Sequence, residues 1–336
     1  MQGKSPVTLL EVAAQAGVSK ITASMILNGS RSNTRVSPST RERVLAAARE
    51  MGYRPNLIAQ ALATGHSRTV TLWTPTDFVP YLALIAHHVR EEMRRDGYTL
   101  TIWDMPPFGS GENLPPGAFP EWTVSGILVP GGKEWVDAYM ERTPSPLPLL
   151  SLGAYCSDQA DYVSADLKGG STAALLHLQS MGCQRIDYLV PMRGTQPGDP
   201  RYDAYREFIQ NTGIPGETII APNSARASAH AEIEAHMKRH GPPEGLYCFN
   251  DEMAIGANRA LREANLRVPE DVALVGCDGI EEMEYHEPPL STVSVPLRQM
   301  CALGWRQLLR RIKDPKTPAL QVELPTELIV RRSSRR

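Results

Sequence analysis

Apolar residues recur three and four positions apart through the first fifty residues, the spacing of helices with one buried face. Val12, Ala13 and Ala16 fall on one such face. Thr8 followed by Glu11 is a capping box that predicts where this helix starts, and Gly17 ends it because glycine tolerates the positive φ of a tight C-terminal turn. Val18 is an apolar plug within the turn. Ser19 caps the next helix, whose apolar face is Ala23, Ile26 and Leu27. Ser37 and Pro38 predict a third start, with Val44, Leu45, Ala48 and Met51 as its buried stripe and Gly52 as its stop. Two short helices across a Gly-containing turn predict a helix-turn-helix, whose second helix can enter a major groove.

Beyond residue 68 the pattern changes. Short apolar runs at 70–74, 98–103, 126–129, 147–152, 185–190, 245–249 and 272–276 read as strands. Amphipathic stretches at 81–95, 172–181, 202–211, 229–239 and 254–264 read as helices. Strand–helix alternation predicts doubly wound parallel sheets, which bind ligands at the carboxyl ends of their strands. About 270 residues suffice for two lobes.

Charge sharpens the division. The first 68 residues hold nine Lys and Arg against three Asp and Glu, and the remainder holds 26 against 34. The overall net charge of −2 therefore hides a basic N-terminus on an acidic body, the distribution expected of a phosphate-contacting module on a carrier. The five cysteines are scattered through apolar segments and read as free thiols of a reducing compartment. No Gly-x-Gly-x-x-Gly follows a strand and no Walker loop is present. Gly109-Ser110-Gly111 sits in a Pro/Gly-rich loop at 106–120, so no cofactor is expected. No metal site is expected either; the adjacent His87 and His88 diverge on a helix. Neither a membrane-spanning stretch nor a signal-type apolar region is legible, which predicts a cytoplasmic protein with no membrane partner.

The text of residues 8–28, TLLEVAAQAGVSKITASMILN, then VSPSTR at 36–41, GYRPN at 52–56 and AQALA at 59–63 resembles the lactose-repressor (LacI/GalR) family of bacterial transcription regulators. The resemblance continues through VSAD at 163–166, FNDEMAIG at 249–256, RVPEDV at 267–272, VGCD at 275–278 and PPLSTV at 288–293, and is weakest between 74 and 120. It implies an all-α helix-turn-helix headpiece joined to an α/β periplasmic-binding-protein-like (type I) two-lobed core. The expected domains are the headpiece at 1–55, a hinge helix and linker at 56–68, and the effector-binding and dimerisation domain at 69–336.

By position, the resemblance places Thr8, Ser19, Lys20, Ile21, Thr22, Ser24, Met25, Asn28, Arg35, Tyr53, Asn56, Ala59 and Leu62 on operator DNA. Lys20 and Ile21 stand where the family reads base edges, by donation to guanine and contact with a thymine methyl. Thr22, Ser24 and Asn28 stand where it holds phosphates. Leu62, on the hinge, is the minor-groove wedge. Tyr53 either packs on the headpiece or reaches a phosphate. Met25 departs from the Arg or His of many relatives. The loop at 29–35 is longer than usual; Arg31 and Arg35 in it either touch the DNA backbone or are simply solvated.

The same carry-over gives an effector pocket of Asp77, Tyr81, Arg201, Asn250, Asp251 and Asp278, a mixture of donors and acceptors that suits a sugar or related metabolite. Two readings stay open: Asp251 either meets ligand or caps the following helix, and Arg201 either meets ligand or pairs with Asp199 or Asp203 at the surface. Asn223 and Val295 stand where several relatives carry an aromatic and a polar residue. Trp73, Trp103, Trp122 and Trp135 are either pocket walls or core. The implied function is a homodimeric repressor on an operator controlled by a small effector, without the apolar tail that some relatives use to form tetramers. The alternatives are a solute-binding protein, which calls for an export signal and no headpiece, or an α/β enzyme using the same cleft. No nucleophile–base pair supports the enzyme.

Overall fold

The computed structural model describes residues 7–28, 36–54, 67–75, 79–105, 124–196 and 198–336. The described chain falls into two compact units, one holding the N-terminal helices and the other holding all the strands.

In the first unit, helix α1 (Leu9–Gln15) opens on the Thr8–Glu11 capping box. The Glu11 carboxylate accepts from the Thr8 backbone N–H at 2.7 Å. Gly17 has φ 62°. Around it Gly17 N–H donates to Ala14 C=O at 3.1 Å and Val18 N–H to Ala13 C=O at 3.0 Å, the paired bonds of a Schellman turn. Helix α2 (Lys20–Asn28) starts at Ser19, whose hydroxyl accepts from Thr22 N–H at 3.1 Å. Helix α3 (Pro38–Glu50) is capped by Ser37 and closes through Gly52, φ 65°. Val12, Ala13, Ala16, Ala23, Ile26, Val44, Ala47 and Ala48 form the core, and Val18 and Tyr53 pack against it. Leu45 corrects the expected stripe: it is 38 % exposed, and Ala47 holds the buried place. The true face of α3 runs Val44, Ala47, Ala48, the i, i+3, i+4 set.

The second unit has two six-stranded sheets. The first sheet runs β11-β5-β4-β3-β1-β2, with β1 (Thr69–Pro75), β2 (Thr99–Met105), β3 (Gly126–Pro130), β4 (Leu149–Gly153), β5 (Asp161–Asp166) and β11 (Gln321–Pro325) all parallel. The second runs β12-β10-β9-β8-β6-β7. Here β6 (Ile186–Pro191), β7 (Thr218–Ala221), β8 (Gly245–Cys248), β9 (Ala273–Asp278) and β10 (Ser291–Ser294) are parallel, and edge strand β12 (Glu327–Ile329) is antiparallel. Helices α4 (Pro80–Arg95), α5 (Lys133–Arg142) and α10 (Leu297–Lys313) cover the first sheet. Helices α6 (Leu167–Ser180), α7 (Pro200–Thr212), α8 (Arg226–His240) and α9 (Asp251–Glu263) cover the second.

Each sheet keeps a 2-1-3-4-5 strand order, so each has a switch point where neighbouring helices diverge. These lie beyond the ends of β1 and β3 in one lobe and of β6 and β8 in the other. The chain crosses between lobes after β5, after β10 and between β11 and β12. Trp73 and Trp135 are core residues of the first lobe, with Trp73 edge-on to Tyr139 at 5.3 Å. Trp103 is exposed on β2, and Trp122 lies outside the described residues.

Candidate effector cleft and DNA-reading face

The cleft is built at strand ends. Asp199 caps α7 by accepting from the N–H groups of Arg201 at 2.9 Å and Tyr202 at 3.1 Å, and Pro200 fixes the first turn. That cap turns Arg201 inward, where it is 5 % exposed. Its guanidinium lies 3.5 Å over the Phe249 ring centroid. Nη1 donates to Phe249 C=O at 3.3 Å and Nη2 to Tyr155 Oη at 2.6 Å. Nη2 is 3.6 Å from Asp199 Oδ2, and Tyr155 itself donates to that oxygen. Burial works against the Arg201 charge, but Tyr155 and Asp199 hold the group protonated. Burial likewise pushes the Tyr155 hydroxyl up to about 12, so it stays a donor at neutral pH. Arg201 Nε–H is buried without a hydrogen-bond partner among the described residues. Tyr155 follows β4 in the first lobe and Arg201 opens α7 in the second, so this polar cluster bridges the two.

Asp278 ends β9 at φ 130°, a conformation unusual outside glycine. Its carboxylate is half-buried and has no hydrogen bond among the described residues. Burial raises its pKa well above the usual range and the Asp251 charge raises it further, while Arg201 draws it down. Tyr81, in the first turn of α4, is raised by burial and then by Asp278. Its Oη lies 3.6 Å from the place a Cβ would occupy on Gly153, at the end of β4. Tyr81, Arg201 and Asp278 thus share one electrostatic neighbourhood.

Asn250 and Asp251 serve the protein itself. Asn250 caps α9, its Oδ1 accepting from Met253 N–H at 2.9 Å. Asp251 is fully buried. Oδ2 accepts from Gly279 N–H at 2.8 Å and Ile280 N–H at 2.9 Å, and Oδ1 from the Thr292 hydroxyl at 2.7 Å. It ties α9 to the β9 exit and to β10, and a Cβ on Gly276 would strike it. Burial raises its pKa to about 7 against the pull of these hydrogen bonds. Asn223 accepts from Ala225 N–H at 3.0 Å and Ser228 Oγ at 2.7 Å, bracing the start of α8. Val295 is buried. Asp77 lies outside the described residues. Tyr155, Asp199 and Phe249, the groups that hold Arg201, are absent from the pocket carried over by resemblance.

On the headpiece, Lys20 is exposed and Ile21 is 73 % exposed at the start of α2, an apolar side chain presented to solvent. Thr22 Oγ1 bonds Ser19 Oγ at 2.9 Å, while Ser24 and Met25 are half-buried. Thr8 is committed to its capping box, and Tyr53 packs on the core, with its hydroxyl raised by burial. Asn28 closes α2. Arg35, Asn56, Ala59 and Leu62 lie outside the described residues.

Residues 8–56 match the family model of bacterial regulatory proteins, lacI family, and residues 175–334 match that of the periplasmic binding protein-like domain. The chain thus carries a lacI-family headpiece ahead of a periplasmic-binding-protein-like core. It is 26 % identical over 328 residues to the ribose operon repressor of Halalkalibacterium halodurans, covering 98 % of this chain and 97 % of that one. Among solved structures it is similar to the Lac repressor dimer bound to operator and the anti-inducer ONPF, at TM-score 0.81 and 25 % identity over 98 % of this chain and 99 % of the other. It is also similar to a complex of the transcriptional regulator CelR with cellobiose, at TM-score 0.68 and 28 % identity over 98 % and 100 %.

Away from the cleft, His236 and His240 stand four residues apart on α8 and gather with Glu217.

Proposed function

We propose that this chain is a homodimeric transcription repressor that binds an operator through residues 1–55 and the hinge at 56–68, and releases or grips it in response to a small polar effector held in the 69–336 core. The observation that carries the effector site is Arg201: a buried guanidinium whose Nε–H has no partner among the described residues, beside the Asp278 carboxylate, which has none among them either, and the hydroxyl of Tyr81. Unmet donors and acceptors at a switch point are what a polyhydroxylated ligand satisfies. The buried Phe249 ring backs the guanidinium and holds it in place. Relatives named for ribose and for cellobiose make a sugar the first class to try.

Two headpieces on two half-sites require a dimer, in line with the operator-bound dimer among the similar structures. A cytoplasmic location follows from binding chromosomal DNA; no described helix is long and apolar enough to cross a membrane. The reading as a binding protein rather than an enzyme rests on the cleft chemistry. Burial pushes the Cys248 and Cys277 thiols well up, leaving them un-ionised and unreactive.

The test is a thermal-shift screen of the full chain against sugars, nucleosides and small metabolites, repeated with Arg201→Lys. A hit that stabilises the wild type and not the variant supports the site. A hit that stabilises both equally moves the ligand elsewhere.

A further inference from the structure

At the end of the second sheet opposite the cleft, four residues from three elements converge. Asp187 lies on β6, Glu217 immediately precedes β7, and His236 and His240 occupy the last two turns of α8. The arrangement is built from the inside out. Asp187 is fully buried, and its carboxylate takes a bidentate pair of bonds from Arg185, Nε to Oδ1 at 3.1 Å and Nη2 to Oδ2 at 2.9 Å. Glu217 N–H donates to Oδ1 at 3.0 Å, fixing the entry to β7. His236, 3 % exposed, places Nε2 at 2.9 Å from Asp187 Oδ2. A carboxylate on Nε2 fixes the proton there and leaves Nδ1 as a lone pair.

That Nδ1 faces Glu217 Oε2 at 3.8 Å, and His240 Nδ1 lies 3.3 Å from Glu217 Oε1. The two imidazoles stack with centroids 4.9 Å apart. One donor atom from each of Glu217, His236 and His240 falls within a 4.8 Å span. Bonds of about 2.0–2.2 Å in a tetrahedral zinc shell put donor atoms roughly 3.4 Å apart. The cluster is therefore close to a coordinating geometry, and the half-exposed Glu217 and His240 can close the difference.

We propose that Glu217, His236 and His240 bind a divalent transition-metal cation of the zinc class, with Asp187 as the outer carboxylate that orients His236. The positive charge nearest the site is Arg185, whose Nη2 is 3.1 Å from His236 Nε2; its bidentate pairing with Asp187 offsets it. The neighbouring Lys238 is paired with Glu234, and Arg239 turns back to Ala235 C=O. The second metal-compatible group among the described residues, His87, His88 and Glu91, is a poorer candidate because Arg298 lies 3.7 Å from the Glu91 carboxylate. Three protein ligands leave a coordination position for water, so the ion is exchangeable. It clamps edge strand β7 to the end of α8, away from the effector, and acts on the stability of the second lobe rather than on ligand recognition.

Full-length protein, stripped with a chelator, is titrated with Zn²⁺ by calorimetry and its melting followed with and without the ion. The expected result is one Zn²⁺ per chain that raises the melting temperature, with affinity lowered about tenfold or more in Glu217→Gln and in His240→Ala, the scale set by loss of even an outer ligand. Both substitutions are at exposed side chains, so folding is retained, and a His87→Ala/His88→Ala variant should bind like the wild type. Absence of stoichiometric binding overturns the proposal. So does binding that survives both substitutions unchanged, or is lost on replacing His87 and His88.

Discussion

Replacing Asp251 with alanine should destabilise the core whether or not an effector is present. The carboxylate serves three donors, the N–H groups of Gly279 and Ile280 and the Thr292 hydroxyl, from a fully buried position. Two of these can partly rescue each other, because Thr292 Oγ1 already lies 3.2 Å from Gly279 N. Ile280 N–H is then left without an acceptor in a dry interior, at a cost of about 1–3 kcal/mol. The vacated volume adds to this, and relief from burying an acid subtracts, for a net loss of about 2–4 kcal/mol. At roughly 2–4 °C per kcal/mol for a domain of this size, melting should fall by about 5–15 °C. Differential scanning fluorimetry at neutral pH without ligand measures it. Asp278→Ala is the control, since its carboxylate holds no hydrogen bond among the described residues and its burial disfavours the ionised form, and its melting temperature should not fall. A stable Asp251→Ala protein beside a destabilised Asp278→Ala protein would refute this division of labour.

Other substitutions probe the remaining parts. Arg201→Lys keeps the charge but loses the planar fork over Phe249; effector affinity should drop at least tenfold, or about 1.4 kcal/mol, while operator affinity without effector is retained, as read by fluorescence anisotropy. The raised pKa of Asp278 means its proton is held more tightly folded than unfolded. Its contribution is favourable below about pH 4, its unfolded value, and is lost as pH rises through the folded value. Asp278→Asn should therefore gain stability relative to the wild type between pH 4 and 8, and a constant difference across that range counts against the shift. Leu62→Ala should weaken specific DNA binding more than non-specific binding; equal losses would argue against a minor-groove wedge.

The headpiece was legible because its signals are local. Thr8 with Glu11, Ser19, Ser37 with Pro38, and the positive-φ Gly17 and Gly52 each act within a few residues, and each occupies its expected place. Helix α10 had no such signal: it starts at Pro296 with no side-chain cap. Strands β7, β10 and β12 are three or four residues long, too short for periodicity to register. The cleft was legible by half. Arg201, Tyr81 and Asp278 were singled out by position, but Tyr155 and Asp199 are 44 residues apart and meet only because the exit of β4 and the start of α7 come together. Asp251 stayed open between two roles because a buried carboxylate that ties strands together looks, in sequence, like one that awaits a ligand.

The central claim is that ligand occupancy of the core changes DNA affinity. Its direct measurement is anisotropy of full-length protein on a DNA fragment selected from its own genome, titrated with the metabolite that emerges from the thermal screen. The account predicts saturable specific binding whose affinity shifts about 5- to 150-fold with ligand, is lost in a Lys20→Ala/Ile21→Ala protein, and ceases to respond in Arg201→Lys. Specific binding that is indifferent to every stabilising ligand, or that survives both headpiece substitutions, would contradict it.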